Sequence, residues 1–512
     1  MAASEQAGFP LWALCKTRRS GFLCVVAATR GMTGRGKMEF KARLVVVSED
    51  GREDIEEAVH LEKEFSRIEQ LGLTLAESKE ILKGIQKGIL ERRTKAYVNR
   101  EHCRECRGGP RRKKGHHDLT FRTLFGDVRL RSPRLHHCRC QDHDTETFSP
   151  LVRLLEEKVA PEFLYLETKW ASLVSYGMSA NMLKDVLPID EKLNASTVRN
   201  HLLKMAVREE ATLGGEQFSF IESCPRDWAR QPRPDGSITV GIDGGYVRDW
   251  VSKKSHFEVI VGKSVPWRSS NSAPKSFGFV GDYDTKPKRR LFELLLSRGM
   301  RMNQQITFIS DGADNLRDLR IYLNPQAEHV LDWFHIAMRL TVLGLYAKGV
   351  IRLDRRVGEE MLEVLERIRW HLWHGNLHEA LRWIESAEWE AEGLDYELEE
   401  RHPEQSYPGL GKLHKGICEF KTYIERNGGN VPNYGERRRH GEVISTSFVE
   451  STVNAVVSKR FCKKQQMRWT PRGAHLLLRT RTKILNDELV EIFELRYPGF
   501  RKESSEQEKM AA

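Results

Sequence analysis

The chain has 512 residues, and its 83 Lys and Arg against 72 Asp and Glu give a formal net charge of +11 at pH 7. Hydrophobic residues make up 39% of it, which is enough for the cores of several domains. The sequence has no run of about 18 apolar residues, so no membrane-spanning helix is expected, and nine cysteines are too few for a disulfide scaffold. The excess of basic residues is compatible with a polyanionic partner.

Residues 1–37 resemble a signal peptide only weakly. A basic stretch is followed by an apolar run that is at the short limit for such a peptide. Met32 and Met38 stand just before the first convincing strand, so we expect a disordered leader or a start assigned too early. Residues 38–102 are predicted as a strand over 40–47 followed by helices. Thr74, with Glu77 three residues later, predicts a capping box for a helix over 75–97.

Residues 103–150 contain two close pairs of cysteines, and the alternating segment 120–131 predicts a hairpin that brings one pair to the other. Four thiolates can complete a tetrahedral zinc shell, so we expect a zinc-ribbon-like module with a structural Zn²⁺. The alternatives are reduced cysteines without metal, or a histidine in place of one sulfur. The cysteines are Cys103, Cys106, Cys138 and Cys140, and the histidines are His136, His137 and His143.

Residues 151–224 are predicted to be helical. A helix over 179–187 stops at Pro188, and a second over 194–203 follows, which is the outline of a helix-turn-helix. The alternative is two helices that simply pack together. The residues expected to contact DNA at the start of the second helix are Ser196, Thr197, Arg199 and Asn200.

From residue 235 to 340 the pattern changes to three consecutive strands followed by strands that alternate with helices. This order predicts a mixed α/β sheet flanked by helices. The predicted strands cover 237–242, 256–262, 276–280, 305–310 and 328–332, and the predicted helices cover 286–298, 315–322 and a stretch from about 335.

Two of these strands run into the same dipeptide, Asp243-Gly244 and Asp311-Gly312. If each strand ends there, the two carboxylates lie side by side at one sheet edge, where they could hold a divalent metal ion. The alternative is that Asp-Gly is only favourable turn chemistry.

Residues 341–440 are predicted to form an all-helical insertion, and residues 441–500 return to the core with a helix over 445–461. Its helical spacing places Glu450, Asn454 and Val457 on one face that is otherwise turned toward the protein. Such an acid requires neutralisation by a metal ion or by an arginine.

A last predicted helix over 471–483 begins with Thr470 as its cap and Pro471 at its first position. Arg479, Arg481 and Lys483 make it basic, which predicts either DNA contact or a solvated face with salt bridges. Residues 501–512 are predicted to be a disordered tail.

This order of elements is similar to the RNase H-like core of DDE transposases and integrases. More closely, the chain resembles the bacterial insertion-sequence transposases of the ISKra type, which are related to the Mutator-like group. The segments that carry the resemblance are GIDGGY at 241–246, SDGADNLR at 310–317, LDWFHIAMRL at 331–340 and SFVESTVN at 447–454.

The resemblance implies that Asp243, Asp311 and Glu450 are the catalytic acids and hold two Mg²⁺ or Mn²⁺ ions. It implies auxiliary roles for Asp332, His335 and Asn454. The expected activity is cleavage at terminal inverted repeats and strand transfer into target DNA, by a homodimer or larger assembly on the DNA ends. The expected location is the bacterial cytoplasm, at the nucleoid. The alternatives are a non-catalytic DNA-binding regulator and an RNase H-like nuclease without strand transfer.

Overall fold

The chain folds into two compact units. The amino-terminal unit comprises Met1–Leu166 and Ala180–Asn194, and the carboxy-terminal unit comprises Glu167–Ser179 and Ala195–Ala512. Among the residues described, no helix has both the length and the apolar character needed to cross a membrane. The structure, a computed structural model, describes residues 23–33, 37–47, 51–64, 68, 71–101, 111–138, 140, 147–155, 157–232, 234, 236–252, 255–266, 273–313, 319–401, 408–462 and 468–501.

Two three-stranded sheets form in the described part of the amino-terminal unit, with strand orders β1-β2-β3 and β4-β5-β6. The helix Leu75–Asn99 begins at the predicted capping box of Thr74 and Glu77. The strands are β1 Leu23–Thr33, β2 Lys37–Val47, β3 Glu53–Glu64, β4 Lys113–Thr123, β5 Gly126–His136 and β6 Thr147–Phe148, and a short helix covers Pro150–Leu154.

The first sheet differs from the expectation, which was a disordered leader and a single strand. Leu23–Thr33 is a strand that pairs antiparallel with β2, and β3 pairs with the other edge of β2. The charge-rich sequence of β3 does not suggest a strand, so the pairing with β2 overrides the local preference. Residues 1–22 lie outside the described residues.

The predicted hairpin is confirmed, although its turn lies two residues earlier than expected. Residues 124–125 form the turn, and Gly126 already begins β5 with a φ of +112°. The Thr123 hydroxyl closes the turn by donating to the Gly126 carbonyl oxygen at 2.8 Å.

A five-stranded mixed sheet is the centre of the described carboxy-terminal unit, with the order β11-β10-β7-β8-β9. Strands β7, β8 and β9 form an antiparallel meander, whereas β10 is parallel to both β7 and β11. The predicted mixed sheet is therefore confirmed. The strands are β7 Ile238–Arg248, β8 His256–Pro266, β9 Lys275–Val280, β10 Ile306–Ser310 and β11 Ala327–Leu331.

Most of the other described elements are helices. The π-helix Asn454–Cys462 continues directly from the α-helix Ser447–Val453. Leu319–Tyr322 and Gly428–Asn430 are 3₁₀ turns. The remaining helices are Pro161–Leu173, Tyr176–Val186, Ala195–Thr212, Pro225–Arg230, Pro287–Leu296, Trp333–Val350, Arg355–Trp373, Leu377–Arg401, Pro408–Asn427, Tyr434–Arg439, Pro471–Leu485 and Leu489–Arg496; the division into units falls within the first two of these.

Hydrophobic cores lie on two sides of the carboxy-terminal unit. Val240 and Phe308 of the sheet pack with Leu291 of the helix Pro287–Leu296. A second core joins the long helices between residues 333 and 427 to Val330 and Leu331 of β11. Phe220 stacks on Phe292 at 4.6 Å between ring centroids, so the chain before residue 225 packs against the first of these cores.

Candidate active site

Asp243 and Asp311 occupy equivalent positions on neighbouring parallel strands. β10 pairs with β7 up to Ile309 opposite Gly241, and each acid follows two residues later. The charge of Asp311 contributes to raising the pKa of Asp243, as expected for two nearby carboxylates. The shared sheet position predicted for these two acids is therefore present.

The prediction that a strand ends at Asp243 is wrong. β7 continues through Gly244 and Gly245 to Arg248, because β8 extends beside it and pairs Asp243 with Val261. Only β10 stops, at Ser310. Asp243 thus lies at a level of the sheet where the parallel strand β10 has ended and the antiparallel strand β8 continues.

The glycines after Asp243 serve the packing around the acid. A Cβ atom on Gly244 would lie 2.8 Å from Oε1 of Glu258, and one on Gly245 would lie 3.6 Å from Cγ1 of Val453. Gly244 therefore makes room for a further carboxylate, and Gly245 lies beneath a helix.

Glu258 is a further acid near this position that sequence reasoning missed. Burial raises its pKa, and the charges of Asp311, Asp282 and Asp243 add to the effect. It lies on β8 opposite Tyr246. The available signal was a lone acid within the otherwise apolar stretch 257–262, which is unusual for a strand at the centre of a sheet.

Among the residues that the structure describes, little positive charge balances Asp243. Burial is the largest cause of the raised pKa of Asp243, and Asp311 and Asp332 raise it further. A hydrogen bond from the Gly244 amide at 2.8 Å and the charge of His335 act in the opposite direction. Crowded, partly desolvated carboxylate oxygens suit a hard divalent cation such as Mg²⁺.

Asp332 fastens two elements beside these acids. It is fully buried, caps the helix Trp333–Val350 by accepting from the Phe334 amide at 2.9 Å, and accepts from the amide and hydroxyl of Thr446. Its other oxygen lies 2.6 Å from Nδ1 of His335. This hydrogen bond is the main cause of the raised pKa of His335, and the charges of Asp332, Asp311 and Asp243 reinforce it. Asp332 therefore joins the start of the helix Trp333–Val350 to Thr446 and raises the pKa of His335.

The helix Ser447–Val453 carries Glu450 and lies across β7. A Cβ atom on Gly241 would lie 2.3 Å from Cγ2 of Val449 and 2.5 Å from Cζ of Phe448. Together with Val453 above Gly245, these contacts place the helix on both sides of Asp243 along the strand. Glu450 immediately follows Val449.

The prediction that Glu450, Asn454 and Val457 share a face turned toward the protein is wrong in part. Val457 and Phe461 are buried as expected, but Glu450 and Asn454 are exposed. The α-helix changes into a π-helix at Asn454, so the spacing of an α-helix no longer keeps these positions on one face.

The basic residues predicted to contact DNA on the last long helix point inward. Arg481 is buried and donates to backbone carbonyl groups, through Nε to Val456 at 3.0 Å and also to Ala455 and Ser172. Arg479 lies 3.3 Å from Glu210, and Lys483 lies 2.6 Å from Glu488. Arg481 therefore lies inside the unit and does not face DNA as predicted, whereas Arg479 and Lys483 form salt bridges and their contact with DNA stays a prediction.

The structure describes all of the residues predicted to contact DNA at the start of the second helix, but only some of the predicted zinc ligands. Ser196, Arg199 and Asn200 are exposed at the start of the helix Ala195–Thr212, and Thr197 is half-buried. Their contact with DNA stays a prediction. Cys138 is half-buried and Cys140 is exposed, whereas Cys103, Cys106 and His143 lie outside the described residues, so the zinc module also stays a prediction.

A second group of metal-ligating side chains has a different character. Potential ligand atoms of Glu210, Asp284 and His475 lie within 4.8 Å of one another. The buried guanidinium of Arg290 already bonds this group, at 2.7 Å to Glu210 and 2.8 Å to Asp284. Arg290 thus supplies the positive charge that a metal ion would bring, and the group is an ion-pair network.

Comparison of the sequence with models of known protein families gives no match. A search of curated proteins also gives no match.

Proposed function

We propose that this chain is a DDE transposase of a bacterial insertion sequence, with an RNase H-like core and Asp243, Asp311 and Glu450 as its catalytic acids. The observation that carries the proposal is the equal register of Asp243 and Asp311 on parallel neighbouring strands. The strand order, with β7 in the middle, an antiparallel meander on one side and parallel strands on the other, agrees with it.

The donor atoms suit divalent magnesium or manganese. Asp243 and Asp311 would hold the cation, Glu450 would complete the carboxylate set, and Glu258 adds negative charge beside them. When bound, such cations activate water or a 3′-hydroxyl and stabilise charge on phosphoryl oxygens. His335, whose pKa is raised mainly by its hydrogen bond to Asp332, would contribute a positive charge near Asp243 and Asp311 when it is protonated.

Two other functions compete with this proposal. A DNA-binding regulator would need neither a pair of partly buried acids nor the helix that carries Glu450 across β7. An RNase H-like nuclease would use the same carboxylates but would leave a 3′-hydroxyl end unjoined. The outcome of one joining reaction separates these functions.

The test is a strand-transfer assay with the full chain. A labelled DNA end from the inverted repeats that flank the reading frame is incubated with supercoiled target DNA and Mg²⁺. We expect the native protein to join the 3′-hydroxyl end to the target, and Asp243→Asn, Asp311→Asn and Glu450→Gln to bind the end without joining it. Asp249→Asn is the matched control, because Asp249 follows the far end of β7 and accepts a turn hydrogen bond from Val251.

Each unfavourable result has a clear meaning. Joining by Asp243→Asn at the native rate would refute the catalytic role of that acid. Cleavage without joining by the native protein would favour the nuclease, and end binding without cleavage would favour the regulator.

A further inference from the structure

An open groove runs between the helices Trp333–Val350 and Pro408–Asn427 in the carboxy-terminal unit. The helices approach closely at Gly416, where a Cβ atom would lie 2.9 Å from Cδ2 of Leu343. Beside this contact the surface opens into a groove of about 420 Å³. We call it the helix groove, and its principal lining residues are Met338, Arg339, Val342, Tyr346, Lys412 and Lys415.

The helix groove combines apolar surface with positive charge. Met338 and Val342 are 45% and 40% exposed, respectively, although both are hydrophobic. Arg339, Lys412 and Lys415 are exposed along the same groove. The acid that lines it, Glu419, lies 3.9 Å from Lys415, so positive charge remains in excess. Apolar and aromatic side chains between cations are what single-stranded nucleic acids contact, with bases on the former and phosphates on the latter.

The helix groove begins next to the acids of the candidate active site. His335 and Arg339 lie one turn apart on the same helix. The guanidinium of Arg339 lies 4.3 Å from the ring centroid of Tyr423. Asn427, one turn after Tyr423, donates through its side chain to the Tyr423 carbonyl oxygen at 3.0 Å and lies against Gly312, the residue after Asp311, so this end of the groove is close to the acids. A strand leaving Asp311 would therefore meet Arg339 and then the groove.

We propose that the helix groove binds a single-stranded segment of DNA that continues from the strand held at Asp243 and Asp311. The apolar and basic lining of the groove supports binding of a single strand. The continuation of that strand to Asp243 and Asp311 rests on the proposed function. A groove of about 420 Å³ has the size of a small-ligand pocket, which suits a short stretch of one strand and is too small to enclose a duplex. A second copy of this chain fits less well, because a symmetric contact would bring Arg339, Lys412 and Lys415 against their own copies.

The test measures binding to a fluorescent oligothymidine of about 15 nucleotides, and to a duplex of equal length, by anisotropy in EDTA. The groove variant is Lys412→Glu with Lys415→Glu. The matched control is Lys348→Glu with Arg352→Glu, which makes the same charge change at exposed positions that do not line the groove. Both variants should keep the native thermal unfolding midpoint within about 2 °C.

We expect the groove variant to bind the single strand about tenfold or more weakly, with a smaller dependence of affinity on salt, because contacts to phosphates are lost. The control should lose less than about threefold in affinity. Tyr346→Ala should weaken binding of the single strand about five- to tenfold through lost stacking, with little effect on the duplex.

Three results would overturn the proposal. They are native single-strand affinity in the groove variant, an equal loss in the control, and a concentration-dependent dimer of the native protein that the groove variant abolishes. If the groove binds single strands but the native protein fails to join DNA, the proposed function fails and the groove assignment stands.

Discussion

At the scale of single residues, environment decides what a charge does. Asp243 lies within a continuous strand and is partly buried, whereas Asp311 follows a strand end and accepts a hydrogen bond from the Ala313 amide at 3.2 Å. Arg481 shows the same principle for a cation. It was predicted to face DNA, but burial, with the charge of Arg460, lowers its pKa to about 10. Its guanidinium is committed to carbonyl groups inside the protein.

We predict that Arg481→Lys destabilises the carboxy-terminal unit and leaves DNA affinity unchanged. A lysine ammonium lacks the planar fork that reaches three carbonyl groups at once, and lost hydrogen bonds from a buried charged group cost about 2 kcal/mol. Thermal unfolding should shift down by several degrees. Arg472→Lys, at an exposed position of the same helix, is the control and should change neither property. A loss of DNA affinity without loss of stability would restore the original prediction.

At the scale of elements, the position of Glu450 depends on how closely its helix approaches β7. Gly241 makes this approach, because its missing side chain leaves room for Phe448 and Val449. The amide of Thr446, bonded to Asp332 at 3.0 Å, fixes the residue just before the helix. The helix is thus fixed at its start by a buried acid and along its length by contact with a glycine.

We predict that Gly241→Ala displaces the helix Ser447–Val453 and impairs strand transfer. A methyl group would overlap Val449, and overpacking of a core contact costs about 1–3 kcal/mol. The thermal midpoint and the joining rate measure the two effects. Gly393→Ala is the control, since a Cβ atom there has no neighbour within 4 Å in the part of the chain that the structure describes. In a helix that substitution should be neutral or stabilising by up to about 1 kcal/mol. Equal behaviour of the two variants would contradict the packing argument.

At the scale of the whole molecule, buried ion pairs bind separate elements of the carboxy-terminal unit together. Arg290 of the helix Pro287–Leu296 bonds Glu210 of Ala195–Thr212 and Asp284. Burial would raise the pKa of Glu210, but hydrogen bonds from His475 and Arg290 outweigh burial and lower it well below 4.5. The network should therefore stabilise the fold mainly when Glu210 is ionised.

We predict that Glu210→Gln lowers stability at pH 7 by about 1–3 kcal/mol, and that this difference shrinks in acid. The folded protein holds Glu210 at a lower pKa than the unfolded chain does. Its contribution is therefore complete above about pH 4.5 and is lost as the pH falls through the folded value. Chemical unfolding of both proteins between pH 7 and pH 3 measures the difference. The control, Glu359→Gln, removes an exposed partner of Arg355 and should leave the free energy of unfolding unchanged at both pH values. A constant difference down to pH 3 would contradict this assignment.

Local pattern predicted the features that depend on local chemistry. The apolar run before Asp311 predicted β10 and its end, and Thr470 with Pro471 predicted a helix start that the structure confirms. Features that depend on distant partners were not predictable in this way. β8 extends β7 past two glycines, β2 pairs with a charge-rich strand, and the charge of Asp243 acts on Glu258 only after the meander folds. The change to a π-helix at Asn454 likewise altered the face expected for Glu450.

The proposed function requires that Asp243 and Asp311 share a divalent cation. The direct measurement is Mn²⁺ titration of the full chain in the absence of DNA, with free Mn²⁺ followed by electron paramagnetic resonance. We predict that Asp243→Asn and Asp311→Asn each weaken Mn²⁺ binding about tenfold or more, whereas Asp249→Asn binds as the native protein does. Native Mn²⁺ affinity in both Asp243→Asn and Asp311→Asn would contradict the claim.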